Sequence, residues 1–185
     1  MVATFRCNEI RAEAMAEVET ELKALRRQSE SGSQKEDFGE MCNRIVAKAV
    51  KYYDEIAHQY SNNVYEKVRG ELLETLFSQL YVFFEMQMKT LRREVLTQFD
   101  TKMKKLCPRD KVNEDFLAEA KQLLANVLNM FVDRANSCVV PESKWEEVVH
   151  THAKELEEHM QRELKAQREK QLDKLVGQKT KVVLD

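Results

Sequence analysis

The stretch VYEKVRGELLETLFSQLYVFFEMQMKTLRREVLTQFDTKMKKL, Val64 to Leu106, decides the fold class. It contains no proline, and Gly70 is its one glycine. Apolar residues recur along it at Val64, Val68, Leu72, Leu76, Leu80, Phe84, Met88, Leu91, Val95, Phe99, Met103 and Leu106. Steps of four with an occasional three trace one face of an α-helix, drifting slowly around the axis. At a rise of about 1.5 Å per residue such a helix spans on the order of 65 Å, roughly twice the width of a compact domain of this size. The stretch is therefore predicted to be one continuous spine, with shorter helices packed on its two halves in turn. Leu73, Phe77, Tyr81 and Phe83 thicken its apolar surface near the middle.

Composition points the same way. The chain has 185 residues, enough for one good core or two small ones. Four Gly, two Pro and 34% charged residues leave few turn signals and argue for an all-α protein. A net charge of -2 gives no general attraction to nucleic acid or anionic lipid. No apolar run reaches the roughly 18–20 residues that span a bilayer, so membrane insertion by this segment is not expected. The N-terminus has no basic region followed by a hydrophobic stretch, so no secretory signal is read. Cys7, Cys42, Cys107 and Cys138 show neither metal-like nor redox-like spacing, and scattered thiols fit a reducing, cytosolic setting.

Outward from the spine, Ile10, Ala14, Val18, Leu22 and Leu25 share a face and predict one first helix, ending at a polar break over Ser29–Gln34. Asp37 with Glu40 has the pattern of a capping box opening a second helix, which shows Phe38, Cys42, Ile45, Ala49, Tyr52, Ile56 and Tyr60. Ser61–Asn63 breaks that pattern and supplies caps for the spine, predicting an antiparallel hairpin. Pro108 stops the spine, since the residue before a proline avoids helical geometry. Asn113 is placed to cap a fourth helix with Phe116, Ala120, Leu123, Leu124, Val127, Leu128, Phe131 and Ala135 on its face. Pro141 and Ser143, with Glu146 as a second capping box, open a fifth helix carrying Trp145, Val149, His152, Leu156, Met160 and Leu164. Gly177 is expected to end it. The predicted organisation is elongated tandem helical bundles sharing one long central helix: a three-helix bundle over 4–82, a second over 83–176, and a tail over 177–185.

Little here carries chemistry. Gly177-Gln178-Lys179-Thr180 has a Lys-Thr pair but lacks the earlier glycine that lets a backbone wrap phosphates. Glu147-x-x-His150 matches the spacing of di-iron bundles, but such sites need a second copy and two further glutamates. His152 is read as a core-edge histidine with a hydrogen-bond partner. The cysteines are read as core and edge thiols, and the Met and Phe stripes as core. A partner groove, if present, is best placed where Phe83 and Phe84 cannot both face the same helix. No catalytic, cofactor-binding or metal residue is assigned.

Phe5-Arg6-Cys7-Asn8-Glu9-Ile10, followed by Ala12 and Ala14, resembles a motif of the root-hair-defective or Sey-type family. These are dynamin-related GTPases, analogous to atlastins, that fuse tubules of the endoplasmic reticulum. In that family the motif lies just after the GTPase domain and opens the helical bundle. The resemblance continues less specifically through Phe38-Gly39, Leu91-Arg92, the Phe116–Phe131 helix and Trp145, covering Thr4 to Leu175. It implies a full-length protein with a GTPase head, helical bundles and a paired membrane anchor.

This chain has neither head motifs nor anchor and is expected to be the proximal part of the stalk, as an excised piece or a shortened gene product. The resemblance implies a non-catalytic segment transmitting GTPase-driven change. Phe5, Arg6, Cys7, Glu9 and Ile10 would lie at the seam with the head. GTP and Mg are implied only for the domain absent here. The implied partners are that GTPase domain and, through it, a second copy of the protein. The implied location is the cytoplasmic face of the endoplasmic reticulum. Ile10, Val18, Leu72, Leu80, Leu124 and Trp145 are assigned to holding the bundles. The competing reading is a free-standing helical or coiled-coil adaptor with no GTPase connection; stripe steps of nearly four disfavour a sustained two-stranded coil, which wants 3.5.

Overall fold

The computed structural model describes residues 2–32, 37–108 and 112–184, without side-chain detail beyond 177. Among the described residues there are six helices: α1 (Val2–Glu17), α2 (Glu19–Glu30), α3 (Phe38–Ala57), α4 (Asn62–Leu106), α5 (Phe116–Asn136) and α6 (Glu146–Leu184). Among the described residues there is no strand. The spine is continuous, as α4, over 45 residues.

The chain packs as two compact units, one of residues 1–90 with 137–145 and one of 91–136 with 146–185. The division thus differs from a cut between 82 and 83: α4 changes unit at Thr90 and Leu91, and the α5–α6 connection joins the first unit.

In the first unit Cys7, Ile10, Ala14 and Val18, Phe38, Cys42, Ala49, Tyr53 and Ala57 of α3, and Leu72, Leu76, Leu80 and Phe84 of α4 are all fully buried. Arg11 pairs with Glu71 at 2.7 Å, tying α1 to α4. The 137–145 segment reaches this core through Trp145, which stacks on Phe84 with centroids 4.7 Å apart and meets Phe77 edge-on at 6.3 Å. Gly39 makes this docking possible, because a Cβ there would collide with the Ser137 carbonyl oxygen. Glu142 and Lys144 both take positive φ, 67° and 61°, to turn the chain into Trp145.

In the second unit Leu91, Val95 and Phe99 of α4, Ala120, Phe131 and Ala135 of α5, and Leu156 and Met160 of α6 are fully buried. Arg134–Glu94 (3.1 Å) and Arg92–Glu155 (2.8 Å) flank the core. Arg92 also donates to His152 Nδ1 at 3.1 Å, so that nitrogen must accept. His152 is half-buried at the core edge. Leu124, assigned to bundle holding, is only half-buried; Leu123 and Val127 take the inward positions beside it.

Four further sequence expectations change. The first helix is two, because the ladder breaks at Val18 (φ -108°, ψ 3°) with neither glycine nor proline present. Lys48 of α3 donates to the Glu17 carbonyl at 2.8 Å and to the Glu21 carboxylate at 2.6 Å, capturing an acceptor the ladder would otherwise use. Asp37 stands at the N-cap of α3 but makes no side-chain capping bond, so the first capping box is not formed. Ser143 Oγ accepts from the Trp145 N–H at 3.3 Å in a turn, and α6 begins only at Glu146. Finally, α6 runs through Gly177 to Leu184, so 177–185 is no strand-like tail as far as it is described. A helical glycine costs about 1 kcal/mol relative to Ala, which Lys- and Leu-rich neighbours absorb when no proline follows. Ser33, Gln34, Arg109 and Asp110, part of the expected breaks, lie outside the described residues.

At the α4–α5 connection, Asn113 works as expected of a cap, but one turn early. Its Oδ1 accepts from the Asp115 N–H at 3.0 Å, and its amide donates to the Leu106 carbonyl at 3.2 Å and to Glu119 at 2.7 Å.

Candidate functional site

The motif residues occupy the first turns of α1, in the first unit. Helical spacing divides them between two faces. Cys7 and Ile10 point into the core and are fully buried, whereas Phe5 keeps 67% of its surface exposed and Val2 82%. The two exposed side chains lie three residues apart, within one turn of the helix.

Beneath them lies a tightly bonded layer. Arg6 donates to Glu9 at 2.9 Å and stands 3.6 Å from Glu13. The Glu9 bond, more than any other contact, raises the Arg6 pKa, and the Tyr60 hydroxyl adds to it. Tyr52 donates to Glu13 at 3.0 Å, which pushes its own titration upward. Cys7 lies against the Tyr53 hydroxyl; burial first, and this contact second, push Tyr53 above its ordinary range. Tyr53 donates to the Tyr65 carbonyl at 3.1 Å and stacks on the Tyr65 ring at 5.6 Å.

Asp54 then gathers the turn between α3 and α4. It accepts from the Tyr65 hydroxyl at 2.7 Å and from Arg69 at 2.9 and 3.3 Å. That bidentate, charge-assisted pair raises the pKa of Arg69, and Asp54 is the main cause of the rise at Tyr65.

Sequence reading did not single out Asp54, Tyr65 or Arg69. The signal available was Tyr65 and Arg69 four apart on the far side of a short turn from Tyr53-Asp54, which places all four at one end of a hairpin.

The layer is built for rigidity and contains no activated group. Cys7 is buried among apolar neighbours and an aromatic hydroxyl, the setting of an inert thiol. The Cys42 thiol is pushed up, first by burial and then by Cys138. Glu147 and His150 are both exposed, and among the described residues no group of three or more His, Cys, Asp or Glu is arranged to hold a metal. Among the described residues no helix is long and apolar enough to cross a membrane.

A family model for the Sey1 three-helix bundle domain matches residues 36–184, well over half of the chain. That span begins after the α1 motif and includes α6 beyond Gly177. Protein SEY1 of Laccaria bicolor is 36% identical over 103 residues, 56% of this chain and 13% of its own length. Protein SEY1 of Malassezia globosa is 28% identical over 181 residues, 93% of this chain and 20% of its own. The Protein SEY1 homolog of Dictyostelium discoideum is 29% identical over 104 residues, 56% of this chain and 12% of its own. No solved structure matches significantly. The chain belongs to the Sey1 family of dynamin-like, atlastin-type GTPases, and carries its helical-bundle part.

Proposed function

We propose that this chain is the non-catalytic stalk segment of a Sey1-type protein, working at the cytoplasmic face of the endoplasmic reticulum in homotypic membrane fusion. It passes movement from a GTPase domain, which holds GTP and Mg and is not part of this chain, toward the membrane. Self-association comes through that domain. The segment itself neither enters the bilayer nor binds nucleic acid. Family membership is what sets this reading above that of an adaptor with no GTPase connection.

The observation that carries it is the split character of the α1 motif. Phe5 is 67% exposed while Cys7 and Ile10, two and five residues on, are fully buried. A lever needs such a point, where an exposed contact is rooted in a layer that cannot yield separately. Phe5 is the contact. Arg6 and Glu9 brace the helix turn, and Cys7 and Ile10 anchor it to α3 and α4.

The test is a chimera in which this chain replaces the matching bundle of the Malassezia globosa protein, reconstituted in liposomes. GTP-dependent lipid mixing is expected with the native chain. Phe5→Asp is expected to abolish mixing while leaving GTP turnover and the melting temperature unchanged, since the side chain is exposed. Mixing that survives Phe5→Asp sinks the seam assignment. A native chimera that turns over GTP without mixing membranes sinks the stalk reading.

A further inference from the structure

The break at Val18 leaves α2 weakly seated. α2 buries only Leu25 and Ser29, and the Ser29 hydroxyl is buried with no hydrogen-bond partner among the described residues. Open clefts flank it on both sides within the first unit. One, of about 810 Å³, lies toward α4 and is lined by Met15, Leu22, Val82, Phe83 and Met86. The other, of about 340 Å³, lies toward α3 beside Leu25, Met41 and Ile45, with Glu21 and Lys48 at its rim. Arg26 over the Phe83 ring at 6.0 Å bridges the larger cleft. The fully buried α1 residues end at Ala14, Val18 at the break is fully buried too, and α1 is braced by Arg11–Glu71.

Across the break the backbone bonds are Val18 N–H to Met15 (3.3 Å) and Leu22 N–H to Val18 (2.9 Å). The Glu17 carbonyl, the natural acceptor for the Glu21 N–H, is taken by Lys48 at 2.8 Å. The same ammonium holds the Glu21 carboxylate at 2.6 Å, and lowers its pKa more than any other contact does. One lysine thus occupies the acceptor that would heal the helix and pins the side chain of the residue whose donor is freed.

We infer that Val18 is a hinge, that α2 is an arm moving about it between the two clefts, and that Lys48 is the stop keeping the helix broken. The device goes beyond the stalk reading and does not depend on it.

Backbone hydrogen exchange on the full chain tests it. In the native protein the α2 amides from Leu22 onward exchange together and faster than those of α3. In Lys48→Met the Glu17 carbonyl is released, the Glu21 amide regains its ladder bond, and its exchange slows by roughly tenfold. Lys48→Arg, which can reach both acceptors, keeps the native rates. Spin labels at Ala12→Cys and Arg27→Cys, in a Cys107→Ser background because the other native thiols are buried, give a broad distance distribution that narrows in Lys48→Met.

Native α2 protection equal to that of α3 overturns the arm. Unchanged or faster Glu21 exchange in Lys48→Met overturns the stop. Lys48 is about half exposed, so the variant is expected to fold. Should it not, Glu21→Gln, which weakens the grip of the same lysine, must slow exchange in the same direction, and a null effect there overturns the stop as well.

Discussion

In the first unit the helices are tied by aromatic hydroxyls and a docked connection; in the second they are tied by apolar packing flanked by arginine. All five tyrosines lie in residues 1–90, as Tyr52, Tyr53, Tyr60, Tyr65 and Tyr81. Trp145 belongs with them, although the chain reaches it only after α5. The ion pairs of the second unit use Arg92 and Arg134, with no tyrosine behind them. Two cores of similar helices have thus been given different chemistry. The first has directional bonds suited to holding the α1 motif in one position, and the second has mostly the non-directional burial of α5 and α6 against α4.

The comparison breaks most visibly in alkali. Tyr53 is pushed up chiefly by burial, Tyr65 chiefly by Asp54, Tyr52 by Glu13 and Tyr81 by Glu85. Each neutral hydroxyl is favoured by folding, because each folded value lies above the ordinary 10.0. Their contribution is complete below about pH 10 and drains away as pH rises through the folded values. Arginine keeps its charge throughout this range. The first unit is therefore expected to unfold at a lower alkaline pH than the second. Trp145 fluorescence reports the first, and Phe116→Trp in a Trp145→Phe background reports the second. Coincident transitions would erase the distinction.

Next in size is the aromatic joint. Phe84→Ala should cost about 3–5 kcal/mol, as should Phe131→Ala in the second unit. The two differ in ring stacking: a double-mutant cycle of Phe84 with Trp145, both in the first unit, should give about 0.5–1.5 kcal/mol from the stacked rings. Smaller again is Gly39→Ala, expected to cost about 1–3 kcal/mol because the added Cβ must displace the Ser137 backbone. Urea melts of each variant check these values, and a neutral Gly39→Ala would show that the 137–145 connection is not seated on α3.

The parts of this fold that sequence reveals are those governed by neighbours three or four residues away. The α4 stripe, the inward faces of Ile10, Val18, Leu72 and Leu80, and the outward Glu147 and His150 all follow from spacing. Features set by distant partners stay hidden. The Val18 break depends on Lys48, 31 residues from Glu17. Gly39 looks like an ordinary helix-start glycine until Ser137 is brought against it. Leu124 shares an apolar arc with Leu123 and Val127 that is wider than the face its neighbours cover, so periodicity cannot say which leucine turns outward. At the candidate site the motif named Phe5, Cys7 and Ile10, but the division of Phe5 from Cys7 and Ile10, and the Asp54 hub behind them, needed the packing of three helices.

The smallest expected effect sharpens the contrast most finely, because it sets one arginine in each unit against the other. Arg69 gives Asp54 two bonds, and Asp54 also accepts from Tyr65, whose carbonyl in turn accepts from Tyr53. Arg92 gives one bond to Glu155 and one to His152, with Glu155 about half exposed to water. An exposed pair is worth about 0.2–1 kcal/mol, whereas loss of a partner within a network leaves polar groups behind that must find water again. Arg92→Met should therefore cost under about 1 kcal/mol, and Arg69→Met about 1–2 kcal/mol. The second loss should shrink in a Tyr65→Phe background, because Asp54 has then already lost one donor, while the first should not change. Equal costs, or an Arg69 effect indifferent to Tyr65, would mean that the hydroxyl layer under the α1 motif is a set of independent contacts. It would then have no claim to be the rigid footing of Phe5.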